Sequence, residues 1–223
     1  MIRGIEPTLN QLLLELEELG RSNDARETER PRKLLNLERP TAELIHLLLR
    51  ATRRLNVLEI GTSNGYSTLW LAHAMHQSGH SAARVTSIDR NPEKIDAARK
   101  NLVRAGLASG VTLIEGDATA SIAKLSGPFD CVFFDADRIT APKQLKLLLP
   151  TLAADVLLLA DNVLSHPDEV APYIDFVRSL PVFESLTLAV GKGLHLAYRP
   201  SHFVKPRDPE RTALTGQGFS GHS

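Results

Sequence analysis

The chain has 223 residues, 43% hydrophobic and 23% charged, with 26 basic residues balancing 26 acidic ones. That length suits one large α/β domain around a single core, and a zero net charge lacks the basic footprint of a dedicated nucleic-acid binder. A single cysteine, Cys131, excludes an internal disulfide, and no apolar run approaches the roughly 20 residues of a membrane span, so the expected location is cytoplasmic and off the membrane.

Leucines at 9, 12, 13, 16 and 19 recur at helical spacing, with Pro7 near the start and Gly20 at the end, and predict a helix over 8–19. The charged stretch Arg21 to Arg30 reads as a solvated connector, and Thr41 to Arg53 as a second amphipathic helix. From Asn56 onward strands and helices alternate: strands at 56–60, 84–88, 111–115, 130–135 and 155–161, helices near 66–77, 92–105, 118–125 and 140–149. Cys131 to Phe134 and Val156 to Ala160 are apolar throughout, the pattern of strands buried on both faces of a parallel sheet. A helix near 168–179 is followed by Val182 to Val190 and Leu194 to Arg199, which flank Gly191-Lys-Gly193 as a closing antiparallel hairpin. This organisation makes residues 1–199 one domain, a helical cap over 1–55 and a Rossmann-like core over 56–199, with 200–223 a flexible tail rich in Gly, Pro, Ser and charge. Cys131, Leu69, Trp70 and Leu71 read as core, and His73, His76 and His80 as helix surface without a carboxylate to make a zinc site.

The stretch Val57-Leu-Glu-Ile-Gly-Thr-Ser-Asn-Gly-Tyr-Ser-Thr68 reads as buried strand, glycine turn and helix start, the architecture of a nucleotide-type cofactor site. Ser63 and Tyr66 stand where a dinucleotide fingerprint needs glycine, and Gly65 lacks the Lys-Ser/Thr that would follow it in a P-loop. What remains is E-x-G-x-x-x-G, and the Glu59 carboxylate suits a ligand carrying positive charge, such as the ammonium and sulfonium of S-adenosylmethionine (SAM). In an open parallel sheet ligands bind outside the carboxyl ends of the strands, and those ends carry Asp89, Asp117, Asp135 and Asp161 beside Asn162. Asp89 suits a ribose diol, its neighbour Asn91 being an independent cap for the next helix; Asp117 serves equally well as a helix cap. Asp135, Asp161 and Asn162 offer three oxygens from neighbouring strand ends, half the roughly six a hard cation takes, which leaves places for a vicinal diol and a water. The same residues also suit a turn at Asp161-Asn162 and a helix cap at Asp135.

Together with Ser87-Ile-Asp89, Glu115-Gly-Asp-Ala118, Phe133-Phe-Asp-Ala-Asp137, Leu159-Ala-Asp-Asn162 and Gly191-Lys-Gly193, the ordered motifs over about residues 33–199 resemble the class I SAM-dependent O-methyltransferases. The nearest branch is the cation-dependent one of catechol and caffeoyl-CoA O-methyltransferases. The resemblance implies a seven-stranded, mostly parallel sheet with an antiparallel last strand, flanked by helices, and a homodimer. It implies a cofactor site in which Glu59 faces the methionine ammonium and Gly61, Thr62 and Gly65 form the turn. Ser67 meets the methionine carboxylate, Asp89 the ribose and Ala118 the adenine with Asp117 nearby. A backbone contact near Leu37 and the Asp135 strand end complete that site. It makes Asp135, Asp161 and Asn162 the metal site, for Mg²⁺ first and Mn²⁺ or Ca²⁺ as alternatives.

The chemistry so implied is methyl transfer to an ortho-dihydroxy aromatic, and two departures bear on it. Arg138 stands where relatives carry a lysine able to take the phenol proton, and arginine holds its proton at ordinary pH, so steering an anionic acceptor or stabilising a phenolate is the role left to it. His166, in the loop after the metal pair, is the candidate acceptor of that proton, and Lys192 occupies a place where relatives often show Asp. Methylation of tRNA hydroxy-nucleosides and non-catalytic SAM binding are the alternative functions.

Overall fold

The computed structural model describes residues 4–201. Seven strands form one sheet in the order β3-β2-β1-β4-β5-β7-β6. They are β1 (Asn56–Ile60), β2 (Arg84–Asp89), β3 (Val111–Glu115), β4 (Phe129–Phe134), β5 (Leu152–Ala160), β6 (Glu184–Leu188) and β7 (Leu194–Arg199). The first five strands run parallel, and β7 is antiparallel to both neighbours, β5 and β6. The chain order reverses between β1 and β4, the switch point at which an open α/β sheet leaves a crevice. Ile60 pairs with both Ile88 and Phe134, and Phe134 with Ala160, so Gly61, Asp89, Asp135 and Asp161 emerge at one rim.

Among the described residues seven α-helices accompany the sheet: α1 (Pro7–Arg26), α2 (Arg39–Ala51), α3 (Tyr66–Gln77), α4 (Pro92–Arg104), α5 (Ala118–Ile122), α6 (Ala141–Leu148) and α7 (Pro167–Ser179). Consecutive strand residues point to opposite faces and both faces are covered, hence the unbroken apolar runs. Val57, Cys131, Phe133 and Leu159 pack with Leu13, Ile45 and Trp70 of α1 to α3, whereas Leu58, Val132, Phe134 and Leu158 pack with Leu145, Tyr173 and Val177 of α6 and α7. At the rim opposite the crevice the Asp130 carboxylate accepts the amides of Leu55 (2.6 Å) and Asn56 (2.9 Å). The buried Arg54 guanidinium pairs there with Asp155, which ties the entries of β1, β4 and β5 together.

Two expectations are corrected by packing. The first helix does not stop at Gly20 but runs to Arg26, through half of the expected connector. Gly20 is there for a close approach: a Cβ on it would lie 2.6 Å from the Asn36 amide nitrogen, which donates to Leu16 O at 2.7 Å. His73 is not on the surface. It is 4% exposed and its Nδ1 lies 3.0 Å from Nε2 of the buried His46 on α2, a contact no local pattern reveals. Cys131, Leu69, Trp70 and Leu71 are core as expected. The predicted tail falls, beyond Ser201, outside the described residues.

Gly65 caps α3 at φ +85°, and a Cβ there would meet Cα and Cβ of Ala98 on α4 at 3.0 Å. Gly65→Ala is expected to destabilise the fold by about 1–3 kcal/mol, read as a lower urea midpoint with an unchanged denaturant slope. An unchanged midpoint would show that α3 and α4 separate freely.

Candidate active site

β1 brings Glu59 into the interior, fully buried. Its Oε2 accepts from Thr68 Oγ1 and Ser87 Oγ, both at 2.5 Å, while Oε1 has no hydrogen-bond partner. Burial pushes this carboxyl up to about 7, and the hydroxyls of Ser67, Ser87 and Thr68 pull the other way. A buried carboxylate with one oxygen unmatched is costly, and a cation at the crevice relieves it.

The turn after β1 is bent by its neighbours. Gly61 sits at φ +110°, and a Cβ on it would lie 2.5 Å from Asp135 O, so glycine lets the end of β4 close against the turn. Thr62 is buried with its hydroxyl 2.6 Å from Ser87 Oγ. Ser63 adopts φ +47°; its amide donates to Asp89 Oδ2 (2.8 Å) and its hydroxyl to Leu34 O (2.6 Å). The other Asp89 oxygen accepts the Asn91 amide at 2.9 Å, and Asn91 itself caps α4 by accepting from Glu93 N (2.9 Å). Asp89 is therefore the anchor of the turn rather than a helix cap, and each of its oxygens keeps a lone pair for a ligand. Ser67, 6% exposed, stands in the first turn of α3, where the free amides and helix dipole favour a carboxylate.

Asp117 caps α5 by accepting the Ala120 amide at 2.9 Å, and Ala118, half-buried, begins that helix. Leu37 is buried in the segment joining α1 to α2.

The second constellation continues the parallel ladder by one residue. Asp135 N donates to Ile60 O (2.9 Å) and Asp161 N to Phe134 O (3.1 Å), which sets the two carboxylates side by side. Asn162 adopts φ +68° and its Nδ2 lies 3.4 Å from Asp135 Oδ1. Asp161 is 6% exposed and its Oδ1 has no partner. Burial lifts both carboxyls, and Asp161 and Glu59 push Asp135 up further. A half-buried and a buried carboxyl side by side, an orphaned oxygen and an adjacent side-chain amide form a set that fits a hard divalent cation. Among the described residues no group of three or more His, Cys, Asp or Glu side chains is placed to hold a metal, and the set here is two carboxylates and an amide.

Around this pair the two cations Arg138 and Lys192 each have a carboxylate partner. Arg138 donates through Nε to Glu169 Oε2 on α7 (2.8 Å) and its Nη2 lies 2.7 Å from the same oxygen as an ion pair, with only 10% of the side chain exposed. Lys192 Nζ lies 3.9 Å from Glu38 Oε1. His166 is exposed at the start of α7, its Nδ1 2.9 Å from Ser165 Oγ. The 191–193 turn seats against the Asn162 loop through Leu164 N to Lys192 O (2.9 Å) and Val163 N to Gly193 O (3.1 Å). Glu169, Glu38, Ser63, Thr68 and Ser87 also border the candidate site and were missed by sequence reasoning, since each meets its partner on a different element.

Residues 11–194 match the family described as O-methyltransferase. The chain is 34% identical over 126 residues to a catechol O-methyltransferase of Niastella koreensis, covering 55% of each chain. It is 28% identical over 194 residues to caffeoyl-CoA O-methyltransferase 1 of Eucalyptus globulus, covering 77% of each. The matches to the catechol enzymes of N. koreensis and Mycobacterium tuberculosis span 55% and 52% of those proteins, about half their length. Among solved structures, a methyltransferase from Geobacter sulfurreducens superimposes with TM-score 0.71 at 25% identity, covering 89% of this chain and 92% of that one. A cofactor-bound structure from MTB does so with TM-score 0.70 at 28% identity, covering 88% and 91%.

The raised Glu59 carboxyl sets a pH dependence. Its folded value, about 7, exceeds its ordinary 4.5, so its contribution to stability is complete below about 4.5 and is lost as pH rises through 7. Glu59→Gln removes that loss. Its urea midpoint, relative to the unaltered protein, is expected to rise more at pH 8 than at pH 5, and an equal offset at both would place the carboxyl in an ordinary environment.

Proposed function

The chain belongs to the O-methyltransferase family, and from that premise we propose that it transfers the methyl group of SAM to one hydroxyl of a small ortho-dihydroxy aromatic with divalent-cation assistance. The observation that carries this reading is the rim itself. Glu59 with its orphaned oxygen and the Asp135–Asp161 pair stand at the switch point, carboxylates that the protein's own cations leave unmatched. The names of the catechol and caffeoyl-CoA relatives, and the cofactor-bound neighbour, support the same chemistry.

In this reading Glu59 faces the methionine ammonium, and Ser67 with the α3 N-terminus receives the methionine carboxylate. Gly61, Thr62 and Gly65 shape the turn that lets the cofactor approach the backbone. Asp89, held by Ser63 and Asn91, accepts the ribose hydroxyls, Ala118 and Asp117 border the adenine, and the backbone near Leu37 closes the site from above. Asp135, Asp161 and Asn162 would hold a hard cation, since all three donors are oxygens, with Mg²⁺ taken first and Mn²⁺ or Ca²⁺ as alternatives. A bound divalent cation supplies Lewis-acid stabilisation for an ionised phenol, a task of about 4 kcal/mol if a pKa near 10 is brought to about 7.

What this chain's residues add is position and proton traffic. Arg138 is no base; pinned by Glu169, it fixes the loop after β4 onto α7 and so holds Asp135 at the rim, with its charge lending electrostatic support to a phenolate. His166, exposed at the mouth, accepts the phenol proton and exchanges it with solvent. With nucleophile and methyl donor aligned, in-line attack needs mainly orientation. The acceptor is a small molecule, and the working unit is a homodimer. No helix among the described residues is long and apolar enough to cross a membrane.

Methyl transfer measured across catechols, caffeoyl esters and bulk tRNA, with Mg²⁺ and with EDTA, tests the reading. Catechol-type acceptors with Mg²⁺ are expected to be methylated, and tRNA is not. Asp161→Ala is expected to lower turnover by at least about 100-fold and to abolish Mg²⁺ binding in calorimetry while leaving S-adenosylhomocysteine (SAH) binding intact. Full activity in EDTA would remove the cation from the reaction, and methylation of tRNA alone would reassign the acceptor. His166→Ala is expected to slow the reaction and shift its pH–rate profile; a superimposable profile would exclude His166 as the proton acceptor.

A further inference from the structure

Between α1 and α2 the chain crosses the cofactor turn as a strap, and an unbroken line of hydrogen bonds fastens it there. At the end of α1, Asp24 accepts the amides of Leu34 (Oδ1, 2.7 Å) and Leu35 (Oδ2, 3.0 Å), and Asn23 Oδ1 shares the Leu34 amide at 3.0 Å. Leu34 O then receives the Ser63 hydroxyl at 2.6 Å, and the Ser63 amide reaches Asp89 at 2.8 Å. From the far side Lys94 Nζ donates to Lys33 O at 2.6 Å. Two residues in this line, Leu35 at φ +50° and Ser63 at φ +47°, are non-glycines in the left-handed region. Such conformations persist only where surrounding contacts over-determine them, and they gather at ligand clamps. The Leu35 side chain is 45% exposed, so packing does not hold it; the Asp24 carboxylate does.

We propose that Asp24 is a positioning residue for the cofactor: through Leu34 and Ser63 it sets the turn that presents Asp89 to the ribose, and it clamps the strap carrying Leu37 over the bound molecule. The inference rests on the SAM reading above and assigns to the end of α1 a share of cofactor retention. Asp24 touches neither cofactor nor acceptor, so it acts on binding and release and leaves the chemical step alone. The line transmits in one order. Without Asp24 the strained Leu35 relaxes, Leu34 O drifts from Ser63, and Asp89 loses one of its two anchors.

The test uses the full chain and SAH as probe. Asp24→Ala is expected to weaken SAH binding in calorimetry about tenfold and to speed its dissociation. KM for SAM rises in parallel, while kcat at saturating SAM stays within about twofold. Ser63→Ala, which cuts the same line at its other end, shows the same split, and the double variant binds SAH no more weakly than the weaker single one. Asp24→Asn keeps an acceptor for one of the two amides and turns a donor toward the other, so its loss of affinity falls between those of the unaltered protein and the alanine variant. SAH affinity unchanged in Asp24→Ala with a lowered melting temperature, or unchanged in Ser63→Ala where Asp24→Ala does not fold, makes Asp24 a structural brace and overturns the proposal, as do strictly additive losses in the double variant. An unaltered protein that binds no SAH overturns the cofactor reading beneath it.

Discussion

Repulsion among carboxylates at one rim of a parallel sheet is the constraint on which the rest of this molecule depends. Glu59, Asp135 and Asp161 are brought to one rim by strand register, and the charges of Glu59 and Asp161 push the Asp135 carboxyl up further than burial alone. Arg138 and Lys192 lie near enough to moderate Asp135 and Asp161, yet each is engaged with a carboxylate of its own, Glu169 or Glu38. The protein thus gathers carboxyls that burial biases toward keeping their protons inside a wall of apolar strands, where low polarisability strengthens the attraction of a cationic partner to their ionised forms. A fold that gained only stability from these positions would fill them with neutral groups.

Holding such a site open requires rigid support, and the support comes from elements that never touch it. Arg54, Asp130 and Asp155 lock the strand entries at the opposite rim, so the exits cannot shift in register. The N-terminal helices brace the turn from outside: Glu17 on α1 accepts from Tyr66 OH (2.7 Å) and Arg39 Nε (2.9 Å), and the Arg39 guanidinium lies 5.5 Å from the centre of the Trp70 ring. Tyr66 and Trp70 open α3, the helix whose N-terminus faces the crevice. Cap, turn and rim are therefore one mechanical unit, and the strap line from Asp24 to Asp89 is its outermost member.

Much of this was legible in the sequence where the signal is local. The unbroken apolar runs of β4 and β5 announced burial on both faces, and the glycines and carboxylates after each strand announced the rim. Signals that depend on distant partners were hidden. Gly20 resembles a helix stop until Asn36 is seen lying across it, and His73 resembles a surface residue until His46 meets it. Arg138 resembles a free cation until Glu169, on α7, accepts its Nε and pairs with its charge.

By itself the chain of residues determined what repeats along one strand or one helix: the alternation of elements, the parallel core and the acidic strand ends. Periodicity and turn chemistry are short-range, so they survive in one dimension. Which oxygens are left unmatched, which cations are already paired and which loops lie over the turn were decided only by tertiary structure. Those properties depend on the mutual approach of elements tens of residues apart, where side-chain reach and burial, rather than sequence spacing, determine which charge meets which.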